Sequence, residues 1–97
     1  MRPVALADID VVARVLLACS EEKRGDRLTE ICHAADVADR YRKRLGKQHP
    51  HFGCGTLMSA AIRYPRARQQ SGTDHNYLIC MQMIAAYLSQ TVAHHPS

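Results

Sequence analysis

The chain has no tryptophan and only five aromatic side chains, Tyr41, Phe52, Tyr64, Tyr77 and Tyr87, in 97 residues. A core without large rings must be filled by aliphatic, alanine and methionine side chains, which favours helices packed closely on helices. Negative charge is absent from one long stretch, since no Asp or Glu occurs between Arg40 and Thr73. Paired cysteine motifs are also missing. Cys19, Cys32, Cys54 and Cys80 form no Cys-x-x-Cys, and the first twenty residues contain Asp8 and Asp10 but no continuous apolar run of the secretory kind. Reduced thiols in a cytoplasmic protein are therefore expected. A membrane segment is excluded for a similar reason, because the most apolar window, 77–93, is interrupted by Gln82, Ser89, Gln90 and Thr91. At this length a second core would leave each half near the lower limit of unaided folding, so 1–97 reads as a single helical domain.

Against these absences stands a concentration of positive charge. Arg40, Arg42, Lys43, Arg44, Lys47, Arg63, Arg66 and Arg68 give the acid-free stretch +8, while the rest of the chain carries −4, for the net +4. Charge clustered in this way seeks anions. Neutralising phosphates with Lys and Arg releases condensed counterions, so the pattern supports salt-sensitive contact with DNA. The competing reading is a solvated or protein-facing surface balanced by Glu21, Glu22, Asp26, Glu30, Asp36 and Asp39.

Periodicity predicts an all-α domain of four helices at about 8–19, 21–45, 57–64 and 74–92. Asp8 is expected to cap the first, whose Ile9, Val12, Leu16 and Cys19 recur at helical steps. Ser20 with Glu21 and Glu22 starts the second, in which Gly25 leaves two readings open, a continuous helix or one that begins afresh at Asp26. Its apolar face is read as Leu28, Ile31, Ala35, Ala38 and Leu45, and Gly46 follows as the left-handed terminator. Thr56 caps a two-turn third helix that Pro65 stops, and Thr73 and Asp74 open the fourth. Its apolar residues include Tyr77, Cys80, Met81, Ile84 and Leu88, and after Asp74 no side chain carries a formal charge except through histidine. Such a helix is either the central one of the bundle or half of a homo-oligomeric interface.

Other constellations are weaker. Gly53-Cys54-Gly55-Thr56 offers backbone N–H groups to a phosphate, yet it lacks the lysine and preceding strand of a nucleotide-binding loop and reads more simply as a tight turn delivering a cap. His49, His51 and Cys54 carry zinc-type ligands at a spacing that fits no familiar structural zinc pattern, and Cys54 beside cations is a candidate reactive thiolate without a placed base. Asp36 and Asp39 read as helix-surface acids paired with Arg40 and Lys43. No catalytic set, cofactor or metal site is expected, and the chain is read as a binding protein rather than an enzyme. The connection between the second and third helices is too long for a helix-turn-helix, and with Tyr41, Phe52 and Tyr64 as the nearby rings a single-strand stacking platform looks poor.

Four segments carry a resemblance: Met1-Arg2-Pro3-Val4; Ala34 to Arg42; His49-Pro50-His51-Phe52-Gly53-Cys54-Gly55-Thr56-Leu57-Met58; and Asp74-x-x-Tyr77-Leu78-x-Cys80. In these the chain resembles a group of small, functionally uncharacterised all-helical proteins of Rhodobacter-type alphaproteobacteria. A fainter similarity is to the small terminase subunit of phage-like gene transfer agents, which helps select DNA for packaging. That resemblance implies a DNA-binding helical unit joined to an oligomerising one, with the basic middle and the uncharged last helix in those parts. A recognisable helix-turn-helix and a separate coiled coil are missing. The expectation is thus a DNA-associated accessory or packaging adaptor using the eight cations on phosphates. Its alternative is an adaptor or regulator for an acidic protein, docking through the last helix or the loop around Phe52.

Overall fold

The computed structural model describes residues 1–93. Four α-helices follow one another: α1 (Leu6–Ala18), α2 (Arg24–Leu45), α3 (Leu57–Ala61) and α4 (His75–Ala93), with a 3-10 turn at Glu21–Lys23 before α2. No strand occurs among the described residues, and the one isolated bridge joins His49 to Gly53. The all-α reading holds.

Helix α1 begins two residues earlier than the pattern suggested, because Asp8 acts from inside its first turn. Its Oδ2 accepts the Ala5 N–H at 2.8 Å, and its Oδ1 accepts the Met58 N–H at 3.0 Å. One buried carboxylate therefore starts α1 and fastens it to α3. The doubt at Gly25 resolves into a short 3-10 turn followed by a continuous α2 that includes the glycine. Gly46 ends α2 in the left-handed region at φ 71°, donating its N–H to Arg42 O at 2.8 Å. Thr56 caps α3 as expected, its Oγ1 accepting the Ser59 N–H at 3.1 Å. Helix α3 closes three residues sooner than 64, through Ile62 N–H to Met58 O and Tyr64 N–H to Ala61 O. Asp74 starts α4 by accepting the Tyr77 N–H at 2.9 Å.

The core draws Val12, Val15 and Leu16 from α1, Leu28, Ile31, Cys32 and Ala35 from α2, Leu57, Ala60 and Ala61 from α3, and Tyr77, Cys80 and Ile84 from α4. Its centre is α1, which packs against each of the other three helices. The expectation that the last helix is central is corrected here. Helix α4 leans mainly on α1 and leaves Leu78 and Ile79 exposed, since the fully buried Val12, Ala13, Val15 and Leu16 of α1 already fill the middle. Leu45 is a second correction. It is 57 % exposed instead of closing the apolar face of α2, because that helix runs past the core at its C-terminal end.

Candidate functional site

The last turns of α2 divide the cationic run by helical geometry. Asp39 is buried at 3 % exposure and faces inward against the glycine loop. Arg42 reaches its Oδ1 at 3.1 Å and Lys43 its Oδ2 at 3.0 Å, while the Met1 α-ammonium contacts both Asp36 and Asp39. Desolvation pushes the Asp39 carboxyl up, but hydrogen bonds from Lys43 and Arg42, with the charges of Lys43 and the amino terminus, more than offset it and hold it below the ordinary value. Two of the eight sequence-predicted cations are thus paired within the fold, both to the one Asp39 carboxylate. Arg40 and Arg44 lie four apart, on the same face of α2, with no carboxylate partner among the described residues.

Beside Arg40 and Arg44 lies an open groove of about 550 Å³ lined by Val37, Arg40, Tyr41, Arg44, Leu45 and His49. His49 organises its far wall. Its Nδ1 accepts the backbone N–H groups of His51 and Phe52, each at 3.1 Å, so the proton of the neutral ring sits on Nε2. The ring meets Tyr41 edge to face at 4.8 Å and stacks on Phe52 at 4.6 Å and 10°. Arg63 then covers the other side of this pair, 4.5 Å from the Phe52 centroid and 5.0 Å from that of Tyr64. Arg27 lies 4.3 Å over Tyr64 and pairs with Glu30. Through these contacts a continuous ladder runs from Arg27 by Tyr64, Arg63, Phe52 and His49 to Tyr41 and the Arg40 and Arg44 groove. Along the helix from Arg27 to Arg44 this is about 25 Å.

The eight cations therefore do not form one uniform band. Arg40, Arg44 and Arg63 belong to the ladder, and exposed Lys47 follows directly on the turn that ends α2. Arg42 and Lys43 belong to Asp39. Arg66 and Arg68 flank Ala67, which is fixed on α1 by Ala67 N–H to Arg14 O and Arg14 Nε–H to Ala67 O, both at 2.9 Å. The segment after α3 is thus clipped to α1 at its middle. Sequence reading missed Arg27 and the framing role of His49. The signal for Arg27 was present, since residues 27, 34 and 41 fall on one stripe of α2 at heptad spacing.

The glycine loop serves the anchored side. Gly55, at φ 98°, passes so close to α2 that a Cβ there would lie 2.9 Å from Asp39 Cα, and its carbonyl accepts the Arg2 N–H. Cys54 sits between two left-handed glycines with its Sγ 3.6 Å from Thr56 Oγ1. Hydrogen bonds from the Thr56 and Ser59 hydroxyls and the Thr56 backbone, with a contribution from the Arg2 side chain, bring its thiol down to about 7 against a smaller desolvation effect. Burial instead pushes the Cys32 thiol up to about 11 and the Cys80 thiol upward. All four cysteines are free thiols. Among the described residues no group of three or more His, Cys, Asp or Glu side chains is placed to hold a metal ion, and His49 Nδ1 is committed to its turn. No described helix is long and apolar enough to cross a membrane.

A family model described as a domain of unknown function, DUF7742, matches residues 2–88. No curated protein and no solved structure matches the chain. The family description names neither a lineage nor a packaging protein.

Proposed function

We propose that this chain, which belongs to the DUF7742 family, is a non-enzymatic DNA-associated accessory protein of the cytoplasm that contacts phosphates through Arg40, Arg44, Lys47 and Arg63, with Arg66 and Arg68 as outlying contributors. The observation that carries it is that three exposed arginines without carboxylate partners among the described residues meet one connected set of rings, Arg63 over Phe52 and Tyr64 and Arg40 and Arg44 beside Tyr41 and His49 in the groove. The rings beneath Arg63 hold it in place at little entropic cost, and phosphates reward cations fixed in position. A role as a packaging adaptor rests on the terminase resemblance and on that geometry together.

The test is a mobility-shift titration on duplex DNA at two ionic strengths. Four phosphate contacts imply a log–log salt slope of about −3.6, or roughly a hundredfold weakening between about 50 and 200 mM salt. A flat salt response, or no shift at low salt, overturns the proposal.

One observation favours a second reading. Leu45 and Val37 put apolar surface into the groove beside the two arginines, which suits an acidic protein segment with apolar side chains better than a bare phosphate backbone. Under this reading Leu45→Ser abolishes retention of a protein partner from nuclease-treated lysate and leaves DNA affinity unchanged.

A further inference from the structure

Resting on the phosphate-binding reading, we infer that the nucleic acid is taken as an intact double helix, held by its phosphates, with no base stacked on the protein and no base edge read. Single strands are gripped by free aromatic faces on which successive bases stack. The five rings of this chain do not provide them. Phe52 has His49 stacked at 4.6 Å and Arg63 at 4.5 Å. Tyr64 carries Arg27 and Arg63, and its hydroxyl accepts from Arg63 Nη2 at 2.9 Å and donates to Glu30 at 3.4 Å. Tyr77 is buried and donates to Asp10, while Tyr87 is half-buried on α4 and packs against the core. Tyr41 alone borders the groove, half-buried and set edge to face against His49. One isolated ring is no platform for consecutive bases.

Base edges are out of reach for a different reason. The major groove, about 12 Å wide, admits one helix that stands clear of its neighbours. Along the ladder α2 is flanked by the His49–Gly53 turn and by Arg63 and Tyr64 beyond α3, so the cationic surface is broader than a single helix. Helix α3 has five residues and is largely buried. What remains outward is charge on Arg40, Arg44, Lys47 and Arg63, since Arg27 at the other end of the ladder is paired with Glu30. A duplex presents phosphates at higher linear density than a single strand, so the duplex is the favoured form.

The test uses the full chain with two unrelated 20-base-pair duplexes and their separated strands, titrated at one low ionic strength. Each duplex is expected to bind at least threefold tighter than either of its strands, and the two duplexes to agree within threefold. A smaller duplex preference, or a larger spread between sequences, overturns the inference while the phosphate reading stands. Failure of all the probes to bind overturns both. Tyr41→Leu provides an independent arm, with its melting temperature measured alongside. A loss of single-strand affinity below threefold supports the inference, and a loss of threefold or more overturns it by revealing a stacked base.

Discussion

Arg40 and Arg44 lie no more than three residues of sequence from Arg42 and Lys43, yet the two pairs belong to different parts of the molecule. Arg42 and Lys43 surround a buried carboxylate and hold the glycine loop and the amino-terminal strand of chain against α2. Arg40 and Arg44 border an open groove and pair with no carboxylate among the described residues. A helix turns 100° per residue, so a run of like charges is dealt to several faces, and what lies on each face decides its use. Formal charge counted along a segment therefore overstates the field that a ligand meets. Here six cations of the +8 stretch have no carboxylate partner among the described residues, and only Arg40, Arg44 and Arg63 belong to the connected ladder, with Lys47 adjoining it.

The anchored side should break first. Gly55→Ala forces a side chain into φ 98° and to within 2.9 Å of Asp39 Cα and Cβ, where backbone must move to make room. A loss of about 3 kcal/mol or more is expected by urea unfolding. Asp39→Asn keeps the volume and removes the charge, and should cost about 2 kcal/mol at neutral pH, discounted because Arg42 and Lys43 are partly exposed. Its pH signature is specific. The Asp39 carboxyl titrates below its usual 3.8 in the fold, so the wild-type advantage is complete above that value and fades as pH falls through the folded-state titration. An advantage that persisted undiminished at lower pH would show that Asp39 acts through packing alone.

The open side should yield without unfolding. Arg40→Gln with Arg44→Gln is expected to flatten the salt slope by about 1.8 and to weaken duplex binding at least tenfold at low salt, with melting unchanged. Arg42→Gln with Lys43→Gln should do the reverse, lowering the melting temperature and moving the slope by less than half a unit. Equal slope changes from both pairs would erase the distinction between the two sides.

Most of the fold was legible in the sequence because it rests on local signals. Spacing of Val12 with Leu16, of Leu28 with Ile31, and of Cys80 with Ile84 marks faces that are buried, and Thr56, Gly46 and Asp74 act at the helix ends where their chemistry places them. What escaped depends on contacts between distant residues. Asp8 looked like a cap, but its second oxygen serves Met58, fifty residues away. The position of α1 at the centre follows from three-dimensional packing that periodicity does not encode, and an uncharged α4 suggested a central role that it does not have. In the candidate site the cations were visible and their division was not. Asp39 was read as a surface acid, and only the approach of Gly55 and Met1 makes it a buried hub.

The smallest effect sharpens the same contrast from within the glycine loop. Cys54 lies on the anchored side, where the hydroxyls of Thr56 and Ser59 bring its thiol from 9.0 to about 7, whereas Cys32 in the core is raised to about 11. A thiol titrating lower in the fold than in the unfolded chain releases its proton on folding. Its contribution to stability is therefore complete above pH 9, declines as pH falls toward 7, and is gone below that. Alkylation under native conditions should reach half its limiting rate near pH 7 at Cys54, while Cys32 stays unreactive until the chain unfolds. Thr56→Val should move the Cys54 midpoint upward without altering duplex affinity, because that hydroxyl faces the anchor and not the ladder. A Cys54 midpoint that stays near 7 in this variant would mean that the other donors, the Ser59 hydroxyl foremost, hold the thiolate without the helix cap.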